Sequence, residues 1–139
     1  MIECRTMASA ERIDAFELMQ RFRSDHAALG EALTLFIDRP DYGFLWLAYE
    51  DDLPTACISV GLGIDVEVGG LVATARDLYV VPDKRRRGIG SALLATLNGR
   101  LAHLEVKRID VITGDDLTVI PFFAARGYRA TGIVFTHRR

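Results

Sequence analysis

The sequence predicts a single mixed α/β domain, and three observations carry that prediction. Short β-prone runs alternate with helical stretches, three of those runs follow one another through tight turns in mid-chain, and the last of the three passes through a glycine turn into a long helical pattern. A meander followed by a strand–helix–strand crossover gives a mostly antiparallel twisted sheet with one parallel pair and helices on both faces. One domain, residues 1–139, is enough chain to bury about two-thirds of its unfolded surface. Half of the residues are hydrophobic and the net charge is only −2, which fits a globular domain without an overall bias toward nucleic acid. No apolar run approaches the ~20 residues of a membrane span, and the first residues lack a signal-peptide profile, so a cytoplasmic address is expected. Cys4 and Cys57 stand alone and suit reduced thiols, with no metal site expected.

The elements follow in order. Ile2–Thr6 reads as a first strand. Ser9 is the expected cap of a helix over residues 10–22, whose apolar side is Ile13, Phe16, Leu18, Met19 and Phe22. A second helix is expected over residues 27–36, ending before the turn Asp38-Arg39-Pro40-Asp41. Strands follow at residues 44–49, 55–63 and 71–81, separated by the turns at residues 51–54 and at Gly69-Gly70. The aromatic run Tyr42, Phe44, Trp46 and Tyr49 belongs mostly to the core. A helix led by Gly88 is expected to run to Val106, and residues 109–113 form the next strand. Thr118 is a plausible cap for a last helix, with Pro121 in its first turn and Gly127 as its left-handed stop. Residues 128–136 are expected to form a final strand.

The stretch around the glycine turn is the most informative. Strand residues Leu78, Val80 and Val81 end at Pro82, the cluster Lys84-Arg85-Arg86-Arg87 follows, and Gly88-Ile89-Gly90-Ser91 opens a helix with Leu93, Leu94, Leu97 and Leu101 on one side. Such a turn is an anion cradle. Glycine lets backbone approach closely, first-turn N–H groups have no intrahelical acceptor, and the helix dipole adds positive charge. Arg85, Arg86 and Arg87 can add full charges, so a phosphate or pyrophosphate is the natural ligand. A P-loop is excluded because no Gly-Lys-Ser/Thr follows, and a dinucleotide fingerprint lacks its third glycine, since Ala92, Leu93 and Leu94 follow Gly90.

Arg85-x-x-Gly88-x-Gly90 behind a strand resembles motif A of the GNAT acyl-CoA-dependent N-acetyltransferases. Phe122-Phe123-Ala124-Ala125-Arg126-Gly127-Tyr128 resembles the closing motif of the same family, an aromatic pair three residues before Gly-Phe or Gly-Tyr. The resemblance covers roughly residues 71–128 and implies a GNAT-like fold whose parallel pair splays to admit coenzyme A. It implies acetyl-CoA as cofactor, with Leu78, Tyr79 and Val80 lying along the pantetheine arm. Arg85, Arg86, Arg87, Gly88, Ile89, Gly90 and Ser91 would then surround the pyrophosphate. A backbone N–H near Val80 would polarise the thioester carbonyl. The family often protonates the leaving sulfur from a tyrosine that falls at Phe123 here, and phenylalanine has no proton to give. Family members often carry a longer final hairpin, and the short C-terminus leaves room for edge-to-edge homodimers.

Acyl transfer to an amine whose pKa is about 10 needs a base. Asp77 lies on the strand entering the cradle, on the same face as Tyr79 by period two, and Asp115 and Asp116 follow the next strand. Asp77 and Asp116 are the expected catalytic carboxylates, against the ordinary alternative of solvated turn residues or salt-bridge partners. His26, His103 and His137 have no companions at useful spacing and read as surface residues. The expected activity is direct transfer of an acetyl group to the primary amine of a small molecule or peptide, with a non-catalytic acyl-CoA sensor as the alternative. A nucleic-acid-binding module is disfavoured by the net charge.

Overall fold

The computed structural model describes residues 2–113 and 117–139. Within them the strands are β1 (Ile2–Thr6), β2 (Gly43–Glu50), β3 (Leu53–Asp65), β4 (Gly70–Val80) and β5 (Arg108–Val111), hydrogen-bonded in chain order. β1 to β4 pair antiparallel, and β4 pairs with β5 in parallel after a helical crossover. Helices α1 (Arg12–Met19) and α2 (His26–Asp38) cover one face, and α3 (Ile89–His103) and the short α4 (Ile120–Ala124) cover the other.

Period two divides the apolar residues between these faces. Leu45, Leu47 and Tyr49 of β2, with Cys57 of β3, pack under Ala15, Leu18, Leu29 and Leu33. Trp46, Ala48, Ile58, Val60, Ala73 and Ala75 pack against Leu93, Leu94, Leu97 and Leu101 of α3. A buried leucine contributes about 1.5–3 kcal/mol. A one-residue slip would expose one of these sets, so the alternation fixes the register. The β2–β3 hairpin closes through Asp51 and Asp52, both left-handed (φ 52° and 64°), as a two-residue turn whose twist suits the strands.

Several expectations need correction. The chain enters α1 through a 3-10 turn, Ser9–Glu11, in which the Glu11 carboxylate accepts from the Ala8 N–H at 2.9 Å, so Ser9 is not the cap. The α-helix stops at Met19, with turns continuing to Phe22. Asp25 caps α2, accepting from the Ala28 N–H at 3.0 Å. Thr118 lies inside a 3-10 turn, Leu117–Val119, and Val119 precedes α4, with Pro121 in its first turn and Gly127 (φ 86°) after its end. Residues 128–136 are not a strand. Among the described residues no neighbouring strand offers them ladder bonds, Gly132 breaks the extended path at φ 66°, and Ile133, Val134 and Phe135 are exposed.

Candidate active site

The site begins where β4 loses its neighbour. Among the described residues β4 and β5 pair from Val72–Arg108 to Ala75–Val111, and the Ile112 N–H to Ala75 C=O bond of 2.9 Å is the last between them. β3 keeps hold of the other edge, because Cys57 and Ala56 pair with Tyr79 and Val80, and the Val81 N–H donates to Thr55 C=O at 2.9 Å. Backbone groups alternate along a strand, so those of Leu78 and Val80 point toward the side that β5 has left. Among the described residues the ladder between β4 and β5 ends before Leu78 and Val80, where the splay is expected.

A β-bulge sits at the fork. Ser59 pairs with Arg76 and Cys57 with Tyr79, so Ile58 faces both Asp77 and Leu78, and Asp77 is left-handed at φ 55°. The extra residue shifts the phase of the strand. Ala73 and Ala75 face α3 before the bulge, and Leu78 and Val80 face it afterwards, which turns Asp77 and Tyr79 toward the α1–α2 loop. Asp77 Oδ1 accepts from Arg23 Nε at 2.9 Å and also pairs with Arg23 Nη2, while Ser59 Oγ donates to Oδ2 at 2.8 Å. Tyr79 stacks on Phe22 with ring centroids 4.4 Å apart. Cys57 is buried beneath, its Sγ 3.4 Å from the Asp77 carbonyl, and burial followed by the Asp77 charge pushes its thiol pKa up.

The cradle follows. Pro82–Lys84 forms a 3-10 turn, and Gly88 caps α3 in the left-handed conformation at φ 81°, open space around its Cα. That φ is why glycine stands at 88. Gly90 has another reason. A Cβ there would meet Phe122 at 3.6 Å and Val80 at 3.8 Å, ordinary contact distances, so any demand for glycine at 90 comes from a ligand and not from the packing. The first helical bond runs from the Ala92 N–H to Gly88 C=O at 2.9 Å, leaving the N–H groups of Ile89, Gly90 and Ser91 without intrahelical acceptors. These donors, at a helix N-terminus behind a left-handed glycine, fit a pyrophosphate.

The basic cluster is less free than its sequence suggests. Arg85 Nε donates to Val80 C=O at 2.9 Å, and its guanidinium lies 5.7 Å from the Tyr79 ring centroid. Lys84 and Arg87 both reach Glu50 at the end of β2, at 2.8 and 3.5 Å, and the Lys84 bond holds the Glu50 carboxyl below the ordinary range against the opposing effect of burial. Arg86 is exposed and left-handed at φ 62°. A cation that sequence reasoning did not single out takes part as well. Arg126 sits over the Phe122 ring (3.7 Å to the centroid), donates to Phe122 C=O at 2.7 Å and bonds Ser91 Oγ in the first turn of α3. Its signal was its place in the closing motif, directly before Gly127. Beside it a groove of about 530 Å³ runs between α3 and the end of α4, lined by Ser91, Leu94, Ala95, Asn98, Ala125, Arg126 and Tyr128.

The two phenylalanines of that motif part company. Phe123 is buried in the core, edge-on to Tyr128, whereas Phe122 is the ring beside Gly90 and Val80. Val80 and Phe122 thus flank Gly90, Ser91 meets Arg126, and Arg85 links Val80 to Tyr79, whereas Asp77 and Tyr79 face the α1–α2 loop and Phe123 is buried under α3. Asp115 and Asp116 lie outside the described residues. His26, His103 and His137 are exposed.

A family model describing an acetyltransferase (GNAT) domain matches residues 41–130. A comparison of the sequence with curated proteins returns no match. Among solved structures, an integron cassette protein from the mobile metagenome of Cole Harbour Salt Marsh is 25% identical, with a TM-score of 0.83 over 98% of this chain and 89% of that one. A predicted acetyltransferase from Clostridium acetobutylicum, solved with acetyl-CoA, is 13% identical with a TM-score of 0.81, over 99% and 96% of the two chains. The aminoglycoside N-acetyltransferase AAC(6')-Iy, solved with CoA, is 16% identical with a TM-score of 0.86, over 100% and 95%.

Proposed function

The chain belongs to the GNAT acetyltransferase family, and from that premise we propose that it transfers the acetyl group of acetyl-CoA directly to a primary amine of a small molecule or peptide. One observation carries the reading. The strand end that β5 has left leads, through left-handed Gly88, into a helix whose first N–H groups have no intrahelical acceptor. Relatives of the same fold solved with acetyl-CoA or CoA support the choice of cofactor.

Acetyl-CoA, when bound, supplies an activated acetyl thioester. Ile89, Gly90 and Ser91 would hold its pyrophosphate by backbone N–H groups, with Arg86 and Arg126 adding charge. The outward backbone groups of Leu78 and the Val80 N–H would align the pantetheine arm as an added strand, the Val80 C=O being held by Arg85. The Val80 N–H would face the thioester carbonyl as an oxyanion donor. Asp77, at the bulge, would take the proton of the acceptor amine, and Asp116 is a second candidate for that role. Phe122 and Phe123 carry no phenol, so the thiolate would leave without a proton from this pair. A thiol pKa of about 8.5 makes that departure feasible with water alone. The two free cysteines support a cytoplasmic address.

The same missing phenol favours one rival, an acyl-CoA sensor without turnover. A panel of amines assayed for coenzyme A release separates the two. The cofactor assignment has its own test. Acetyl-CoA should raise the melting temperature by mass action, and Gly88→Val, which forces a β-branched residue to a positive φ, should abolish that rise. Calorimetry showing no binding at millimolar cofactor would sink the assignment.

A further inference from the structure

The α1–α2 loop grips β4 with two adjacent side chains. Phe22 stacks on Tyr79, the ring planes 24° apart, and Arg23 pairs with Asp77. Both targets lie in the short segment that the bulge turns toward this loop and that β5 has left. The two partners of the ion pair are unequally held. The Asp77 side chain is only 17% exposed and is anchored to the sheet through Ser59, whereas Arg23 is 55% exposed and comes from a loop. A carboxylate fixed to a sheet and covered by a solvent-facing cation is a site another cation can take, because such pairs are weakly held.

We infer that Arg23 is a displaceable counter-ion for the acceptor: a protonated aliphatic amine enters by taking Asp77 Oδ1 from Arg23, and the α1–α2 loop releases its hold on β4 as it does so. The inference rests on the acyltransferase reading and deepens it. It names the acceptor class as amines that arrive charged, in preference to neutral arylamines. Arg23 acts here through Asp77, as a positioning residue.

The test compares the full chain with Arg23→Gln, using a primary aliphatic diamine and the isosteric diol as probes, by steady-state kinetics with acetyl-CoA and by calorimetry with coenzyme A. Arg23→Gln should lower KM and Kd for the diamine about two- to fivefold, the range open to a partly exposed ion pair. Diol affinity should stay unchanged. Asp77→Asn should erase the preference for diamine over diol in either background. Phe22→Ala, which loosens the loop without touching charge, should move both probes alike. A diamine affinity that is unchanged or weaker in Arg23→Gln overturns the inference, as does equal tightening of the diol. A chain that binds acetyl-CoA but no diamine in either form also overturns it, and leaves the cofactor reading standing. If acetyl-CoA fails to bind, the cofactor reading falls, and diamine calorimetry without cofactor still decides the role of Arg23.

Discussion

Phe122 and Phe123 are neighbours in sequence with opposite surroundings, and the difference decides what a hydroxyl would do at each. Phe123 is 8% exposed inside the cluster under α3, where a phenol would need a buried hydrogen-bond partner. Phe123→Tyr should therefore lower stability by about 1–3 kcal/mol, seen as a lower denaturation midpoint, without speeding turnover. Phe122→Tyr keeps the ring against Gly90 and Val80 and extends its edge toward the cradle. It should leave the midpoint nearly unchanged, and it is the substitution able to add a proton donor near the leaving thiolate. A stable Phe123→Tyr protein with raised turnover would reverse this assignment. The sequence motif shows that an aromatic pair is present. Which of the two faces inward depends on the angle at which α4 leaves its 3-10 turn, and no residue type encodes that angle. Asp77 poses a similar problem. Its place on a strand beside Tyr79 is readable, but the bulge that aims it at Arg23 depends on the register of β3, and the sequence there has no glycine to announce it.

Among the elements, the loop from Pro82 to Gly88 is set by a contact with another strand. Lys84 and Arg87 converge on Glu50, whose single charge offsets one of the four clustered cations. Glu50→Gln should release them toward the cradle and strengthen coenzyme A binding about two- to threefold at low ionic strength, with the gain vanishing in high salt. Calorimetric titrations at two salt concentrations check this, and a loss of affinity would mean that Glu50 serves mainly to shape the loop. The strands were legible because period two is written into residues such as Leu45, Leu47, Ile58 and Val60. The helix behind Gly88 was legible through Leu93, Leu94, Leu97 and Leu101. The loop contacts were not, since Glu50 lies far from the cluster in sequence and carries no pattern of its own.

For the molecule as a whole, the sheet and its two helical layers could be read ahead of the structure, while the C-terminal segment could not. A strand is a property of a pair, and Ile133-Val134-Phe135 has strand composition without a strand partner among the described residues. Charge gives the final prediction at this scale. Four carboxylates that tie sheet ends and turns together are held below the ordinary range by hydrogen-bonded partners. Glu3 is held by Arg5, Asp41 by Arg39, Glu50 by Lys84, and Asp65 first by the Glu67 N–H and then by Arg108. A depressed folded-state pKa means that the unfolded chain binds the proton more readily. The stability these groups contribute is therefore fully present above their unfolded values and is lost as pH falls through the folded ones. The melting temperature should stay level from about pH 8 to pH 5 and fall below about pH 4, where unfolded carboxylates take up protons. High salt should make the fall shallower, because exposed pairs are screened. Asp65→Asn should remove part of the slope while lowering the midpoint at neutral pH. Thermal denaturation across this range settles the matter: a melting temperature that does not fall below about pH 4 would show that these pairs do not set the acid limb.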